Sequence, residues 1–114
     1  MADCIFCQII DGKIPSQKVY EDADVLAFND IHAQAPVHVL VIPKKHIASA
    51  QELGEKDGAL LGKIFTVIKR VAEEKGLAEK GYRIVNNCGE DGGQTVHHIH
   101  FHLLGGRQLT WPPG

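Results

Sequence analysis

The chain has 114 residues, 44% of them apolar and 23% charged, which suits one hydrophobic core and excludes a disordered or fibrous chain. Twelve Lys and Arg against fourteen Asp and Glu leave a net charge of −2 with the basic residues scattered, which argues against nucleic acid as the main partner. No apolar run approaches a membrane span, no basic leader is visible in MADCIFCQII, and three cysteines cannot all pair in one chain, so the expectation is one soluble, cytoplasmic domain over residues 1–114 with no membrane partner.

Near the start, Cys4-Ile5-Phe6-Cys7 has a C-x-x-C spacing. A redox role lacks a βαβ context, and a closed zinc site needs two more ligands, so the pair alone decides nothing. Residues Lys18 to Tyr20 and Val25 to Asn29 flank the polar stretch from Glu21 to Asp24 and read as a hairpin. Val37 to Ile42, β-branched and ending at Pro43, predicts a buried strand.

From Asp57 to Gly76, Leu60, Leu61, Ile64, Phe65, Ile68, Val71 and Ala72 recur at helical spacing, with Asp57 placed to cap the start and Gly76 the end. Tyr82 to Asn87 and His97 to Leu104 complete a set of five strands, separated by the glycine-bearing loop from Cys88 to Thr95. Without βαβ alternation, the fold expected is α+β: an antiparallel sheet covered by one long helix.

Four of the seven histidines fall between His97 and His102. On a strand, His98, His100 and His102 project from one face, while Ile99, Phe101 and Leu103 cover the other. Packing asks for no row of imidazoles, so that face is available for chemistry. A zinc ion could take two histidines spaced by two, yet at a rise of about 3.3 Å per residue the outer pair stands roughly 13 Å apart, and one ion cannot hold all three. In the preceding loop, Gly93 and its neighbours let backbone N–H groups approach an anion, with Gln94 and Thr95 beside them as polar donors. Neutral imidazole, with a pKa near 6.5, is unprotonated enough at pH 7 to attack phosphorus, and a covalent step divides one hard displacement into two.

The run HIHFHLL matches the His-φ-His-φ-His-φ-φ signature of the histidine-triad family, where φ is hydrophobic, and IFCQII, VLAFNDIHAQAPVHVLVIPKKHI, GYRIVNNCGEDGGQT and GGRQLTWPPG extend the likeness along the chain. The chain resembles the nucleotide-binding branch of that family. The resemblance implies a sheet extended by dimerisation, a short N-terminal helix, and a purine nucleoside phosphoramidase or related nucleotide hydrolase, acting on AMP or GMP joined to an amine. It makes His100 the nucleophile, gives His102 the phosphate and leaving group, and has His38 complete the set. Asn87, Gln94 and Thr95 match phosphate and ribose contacts, and Asp30 a ribose-binding carboxylate. Ile5, Phe6, Ile9, Phe28 and Ile31 resemble a base pocket, where Asn29 stands in place of a frequent His. Trp111, in the tail, would reach the partner subunit's site. Relatives carrying the C-x-x-C pair complete a structural zinc site with His46 and His98, so the ligand set implied is Cys4, Cys7, His46 and His98, with no catalytic cofactor. A non-catalytic nucleotide-binding scaffold, a dinucleoside polyphosphate hydrolase and a zinc-dependent hydrolase are the alternatives.

Overall fold

A computed structural model describes residues 3–114. Helix α1 (Ile5–Ile10) is followed by β1 (Lys18–Glu21), β2 (Val25–Asn29) and β3 (Val37–Pro43); two 3-10 turns lead into the long helix α2 (Gly58–Glu74), before β4 (Arg83–Val85) and β5 (Phe101–Gly105). The strands form one antiparallel sheet in the order β1-β2-β3-β5-β4, the α+β arrangement expected. The β1–β2 turn closes because the Asp22 carboxylate accepts the N–H groups of Asp24 and Val25. Among the described residues, no helix is long and apolar enough to cross a membrane.

Strand alternation sorts the side chains into two layers. Under α2, Val25 and Ala27 of β2, Val39 and Val41 of β3 and Phe101 and Leu103 of β5 pack with Ile64, Ile68 and Val71. On the opposite face, Leu26 and Phe28 of β2 and Leu40 and Ile42 of β3 pack with Phe6 and Ile9 of α1. Phe28 pairs with Leu40, and Leu40 with His102, so apolar wall and histidine share one row across three strands.

Both later strands are shorter than the sequence predicts. The segment expected over Tyr82 to Asn87 keeps ladder pairing only from Arg83 to Val85, and the one expected from His97 begins at Phe101. Upstream of Phe101 the backbone is tied to the 43–47 segment instead: Ile99 N–H donates to the Ile47 carbonyl at 2.6 Å, and the His98 ring to the Pro43 carbonyl at 2.8 Å. The alternation survives without the ladder. Ile99 lies in the α2-side core, while His98 and His100 meet the Phe6 ring on the other side.

The helix ends were half anticipated. Asp57 occupies the cap position of α2, but its carboxylate accepts from Gly54 N–H and so serves the preceding turn. At the far end Gly76, at φ +75°, lets its own N–H reach the Glu73 carbonyl and Leu77 N–H reach that of Ala72. Leu77 is thereby buried against Gly105, where an added Cβ would stand 2.7 Å from the leucine Cδ1.

Candidate active site

A cleft of about 580 Å³ opens on the α1 side of the sheet, within the size range of small-ligand pockets. Ile5, Phe6 and Ile9 of α1 and Phe28, Asn29, Asp30 and Ile31 at the end of β2 line it, as do Thr95, His38, His100 and His102. The sequence-predicted apolar set and three of the histidines therefore come together. Asn87, Gly93, Gln94 and Trp111 lie outside the lining. Gln94 is buried and braces its loop: its side-chain N–H groups donate to the carbonyls of Ala48 and Val96, and its oxygen accepts from Gly89 N–H. Trp111 is 79% exposed.

The hydrogen-bond partners fix which ring nitrogen of each neutral histidine carries the proton. A backbone carbonyl only accepts, so His100 Nδ1, 2.8 Å from the His98 carbonyl, is the protonated nitrogen and Nε2 is left with its lone pair free. A backbone N–H only donates, so His38 Nδ1, which receives Gln34 N–H at 3.0 Å, is bare and Nε2 holds the proton. That proton points at His102 Nδ1, 2.9 Å away, with the Asp30 carboxylate at 3.4 Å. His102 Nδ1 must then accept, leaving its Nε2–H as a donor. Adjacent rings of His100 and His102, with centroids 5.1 Å apart, thus offer one lone pair and one N–H.

Burial favours the neutral rings. Desolvation lowers the pKa of His38, against the upward pull of Asp30. It also drives that of His102 down to about 4, helped by His100 and His38 and opposed by Asp30.

Two residues that sequence reasoning missed hold this arrangement. Asn86 donates from its side chain to the His100 carbonyl at 2.9 Å, and Gln34 sets the His38 tautomer through its backbone. Neither carries a signal, since one acts as an ordinary amide inside an expected strand and the other through a group every residue has.

Two groups of side chains have the spacing to hold a metal ion: Cys4, Cys7, His46 and His98, and separately Asp30, His38 and His102, each with its donor atoms within 4.8 Å of one another. Protonation separates them. His98 gives its Nε2–H to Pro43, so Nδ1 is bare and faces the Cys4 and Cys7 sulfurs at 3.4 and 3.6 Å; His46 Nδ1 is 3.3 Å from Cys7. A tetrahedral ion with bonds of about 2.3 Å to sulfur and 2.05 Å to nitrogen sets sulfur and nitrogen about 3.6 Å apart, close to these three distances, so the donor set suits such an ion. Burial, with the Cys4 hydrogen bond next, pushes the Cys7 thiol up to about 11, so thiolate there calls for a cation. In the second group the nitrogen aimed inward, His38 Nε2, holds the proton that Gln34 forces on it, which disfavours a metal.

A HIT domain model matches residues 11–109, and the chain belongs to this histidine-triad family. A HIT-like protein of Synechococcus elongatus is 54% identical over 112 residues, covering 98% of this chain and 97% of its own. The crystal structure of a HIT family hydrolase from Legionella pneumophila Philadelphia 1 superposes with a TM-score of 0.97 at 54% identity, covering 98% of this chain and all of the other. A histidine triad nucleotide-binding protein from Candida albicans matches at TM-score 0.83 and 36% identity, over 98% of this chain and 85% of its own.

The buried rings give a pH signature. An unfolded histidine takes its proton near 6.5, whereas folded His102 resists until about 4, so the unfolded state binds more protons between those values and stability falls as pH drops through that window. Histidine NMR should show His102 titrating well below 6, and thermal melts should show the midpoint declining from about pH 6.5 downward. A His102 signal titrating at the ordinary value would contradict the burial of this ring beside His38 and His100.

Proposed function

We propose that the chain is a purine nucleotide hydrolase, a nucleoside phosphoramidase that cleaves AMP–N or GMP–N bonds at the α-phosphorus through a nucleotidyl-histidine. The observation that carries this reading is the bare His100 Nε2 beside the His102 Nε2–H donor at the end of an apolar cleft. The names of the Legionella and Candida relatives, one a hydrolase and one nucleotide-binding, support it.

In this reading the base lies between Ile5, Phe6, Ile9, Phe28 and Ile31, with Asn29 at its edge. Asp30 takes the ribose hydroxyls, and Thr95 and Asn87 assist at ribose and phosphate. Gly93 and Gln94 contribute by shaping the loop that presents Thr95. His100 Nε2 attacks phosphorus, the P–N bond to the amine breaks, and the amine leaves with a proton from water at the open mouth. Water then attacks phosphorus, the P–Nε2 bond breaks, and the monophosphate departs with His100 restored. His102 Nε2–H steadies a phosphoryl oxygen in both steps, and His38 keeps it a donor.

The metal ion of the cysteine cluster is structural zinc in this proposal, suited by its two-sulfur, two-nitrogen set, and the chemistry is metal-free. Its thiols require a reducing compartment, which supports a cytoplasmic site. The chain is one domain acting as a homodimer: β4 leaves a half-buried sheet edge, and Phe65 and Tyr82 are 47% and 38% exposed. Trp111 would then reach the partner subunit.

Three measurements test the reading. His100→Ala should lower turnover of AMP phosphoramidates by at least about three orders of magnitude while AMP affinity stays within about tenfold, because a covalent nucleophile is lost and the base and ribose contacts remain. Substantial turnover by that variant, or a trapped adduct on another residue, would overturn the mechanism. Replacing Cys4 and Cys7 with Ser should abolish the one zinc per chain and lower the melting temperature, yet leave kcat within about an order of magnitude; unchanged zinc content refutes the ligand set. Light scattering should give about twice 12.5 kDa, and a clean monomer mass counts against the dimer.

A further inference from the structure

Cys4 and Cys7 belong to two structures at once. They supply the sulfur half of the metal cluster, and the residues between them, Ile5 and Phe6, form one wall of the cleft. Cys4 is the cap of α1, its Sγ accepting Cys7 N–H at 3.3 Å, so a movement of that sulfur moves the first helical turn. The Phe6 ring meets those of His100 and Phe28 edge-on at 5.1 and 5.6 Å, and carries such a movement into the cleft. His98 provides a second route, being a member of the cluster whose carbonyl holds His100 Nδ1–H.

The thiols are reachable. Each is half-buried, and each borders its own hollow open to the surface, Cys4 beside Asp3 and Thr95 and Cys7 beside Gln8 and Lys44. With the donor atoms within 4.8 Å of one another, the sulfurs need to close by no more than about 3 Å to reach the S–S bond length of about 2.05 Å.

We propose that Cys4 and Cys7 form a peroxide-sensitive latch, whose oxidation to a disulfide ejects the metal ion and displaces the Phe6 wall, weakening nucleotide binding. One thiolate attacks the peroxide, the O–O bond breaks, and a sulfenic acid and a hydroxide result. The second thiolate attacks that sulfur, the S–S bond forms and a second hydroxide leaves; two solvent protons turn both hydroxides into water. The thiolates lose two electrons and the peroxide gains two. His46 and His98 remain, too few to keep the ion. A dithiol reductant reverses the change. The bridging stands by itself, whereas its effect on binding rests on the nucleotide reading above.

The test uses full-length Cys88→Ser protein loaded with zinc, so that only the two cluster thiols react. It is treated with hydrogen peroxide, zinc release is followed with a chromogenic chelator, the bridge is mapped by mass spectrometry, and AMP affinity is measured by calorimetry. The expected result is one zinc freed per Cys4–Cys7 bridge, with an AMP Kd raised about tenfold and restored by dithiothreitol. Zinc retained under peroxide, sulfenic acid that never bridges, or a bridge that leaves the AMP Kd unchanged overturns the latch. If the reduced protein binds no AMP, the nucleotide reading fails instead, and the imidazole NMR signals of His100 and His102 decide: shifts on bridging support the latch, and unmoved signals overturn it.

Discussion

His98 is fully buried, and its two ring nitrogens and its carbonyl are committed in three different directions. Nε2–H goes to the Pro43 carbonyl at the end of β3, Nδ1 to the two sulfurs that anchor α1, and the backbone carbonyl to His100 Nδ1–H. A buried imidazole with a nitrogen unpaired would be costly, so these bonds act as constraints. Through this one residue the central sheet, the N-terminal helix and the His100 ring are held in a common frame. The segment before β5 has no ladder bonds of its own to do so.

Proton direction distinguishes clusters that distance alone does not. The cysteine cluster and the Asp30–His38–His102 group have similar spacing, yet in one the inward nitrogen of His98 is bare and in the other that of His38 is protonated. The cause is the identity of each outer partner, a carbonyl for His98 and an amide N–H for His38. Second partners thus leave one histidine with a lone pair open to a cation and turn another into a donor that orients its neighbour, as outer-shell groups do in metal and catalytic sites generally.

Period-two alternation in HIHFHLL allows only one assignment of faces, and that assignment holds even where the strand does not form. VLAFN and VHVLVIP, by contrast, are apolar nearly throughout because both faces of those strands are buried, so they mark strands without showing which residue lies under α2. The apolar repeat gave the long helix, and Gly76 its end. What the sequence could not show are contacts made by groups common to every residue, such as the Gln34 N–H on His38 or the Pro43 carbonyl on His98. The Gln94 side chain was undetermined for a related reason: a polar group beside a glycine loop is equally suited to an anion and to bracing the loop, and the positions of Ala48, Gly89 and Val96 show that it braces.

The stop of α2 ties its length to the sheet. Leu77 follows the glycine that ends the helix and fills the space over Gly105 at the end of β5, where there is no room for a side chain. Each residue of an α-helix adds about 1.5 Å and turns it by about 100°. A single insertion or deletion within residues 58–74 would therefore turn the residues on one side of it by about 100° against those on the other, so that Ile64, Ile68 and Val71 and the Leu77–Gly105 contact could not all keep their places. The exposed stretch at Gly54 to Lys56 just ahead of the helix faces no such demand. Over evolutionary time, length variation should collect there, while the helix drifts in sequence but keeps its residue count.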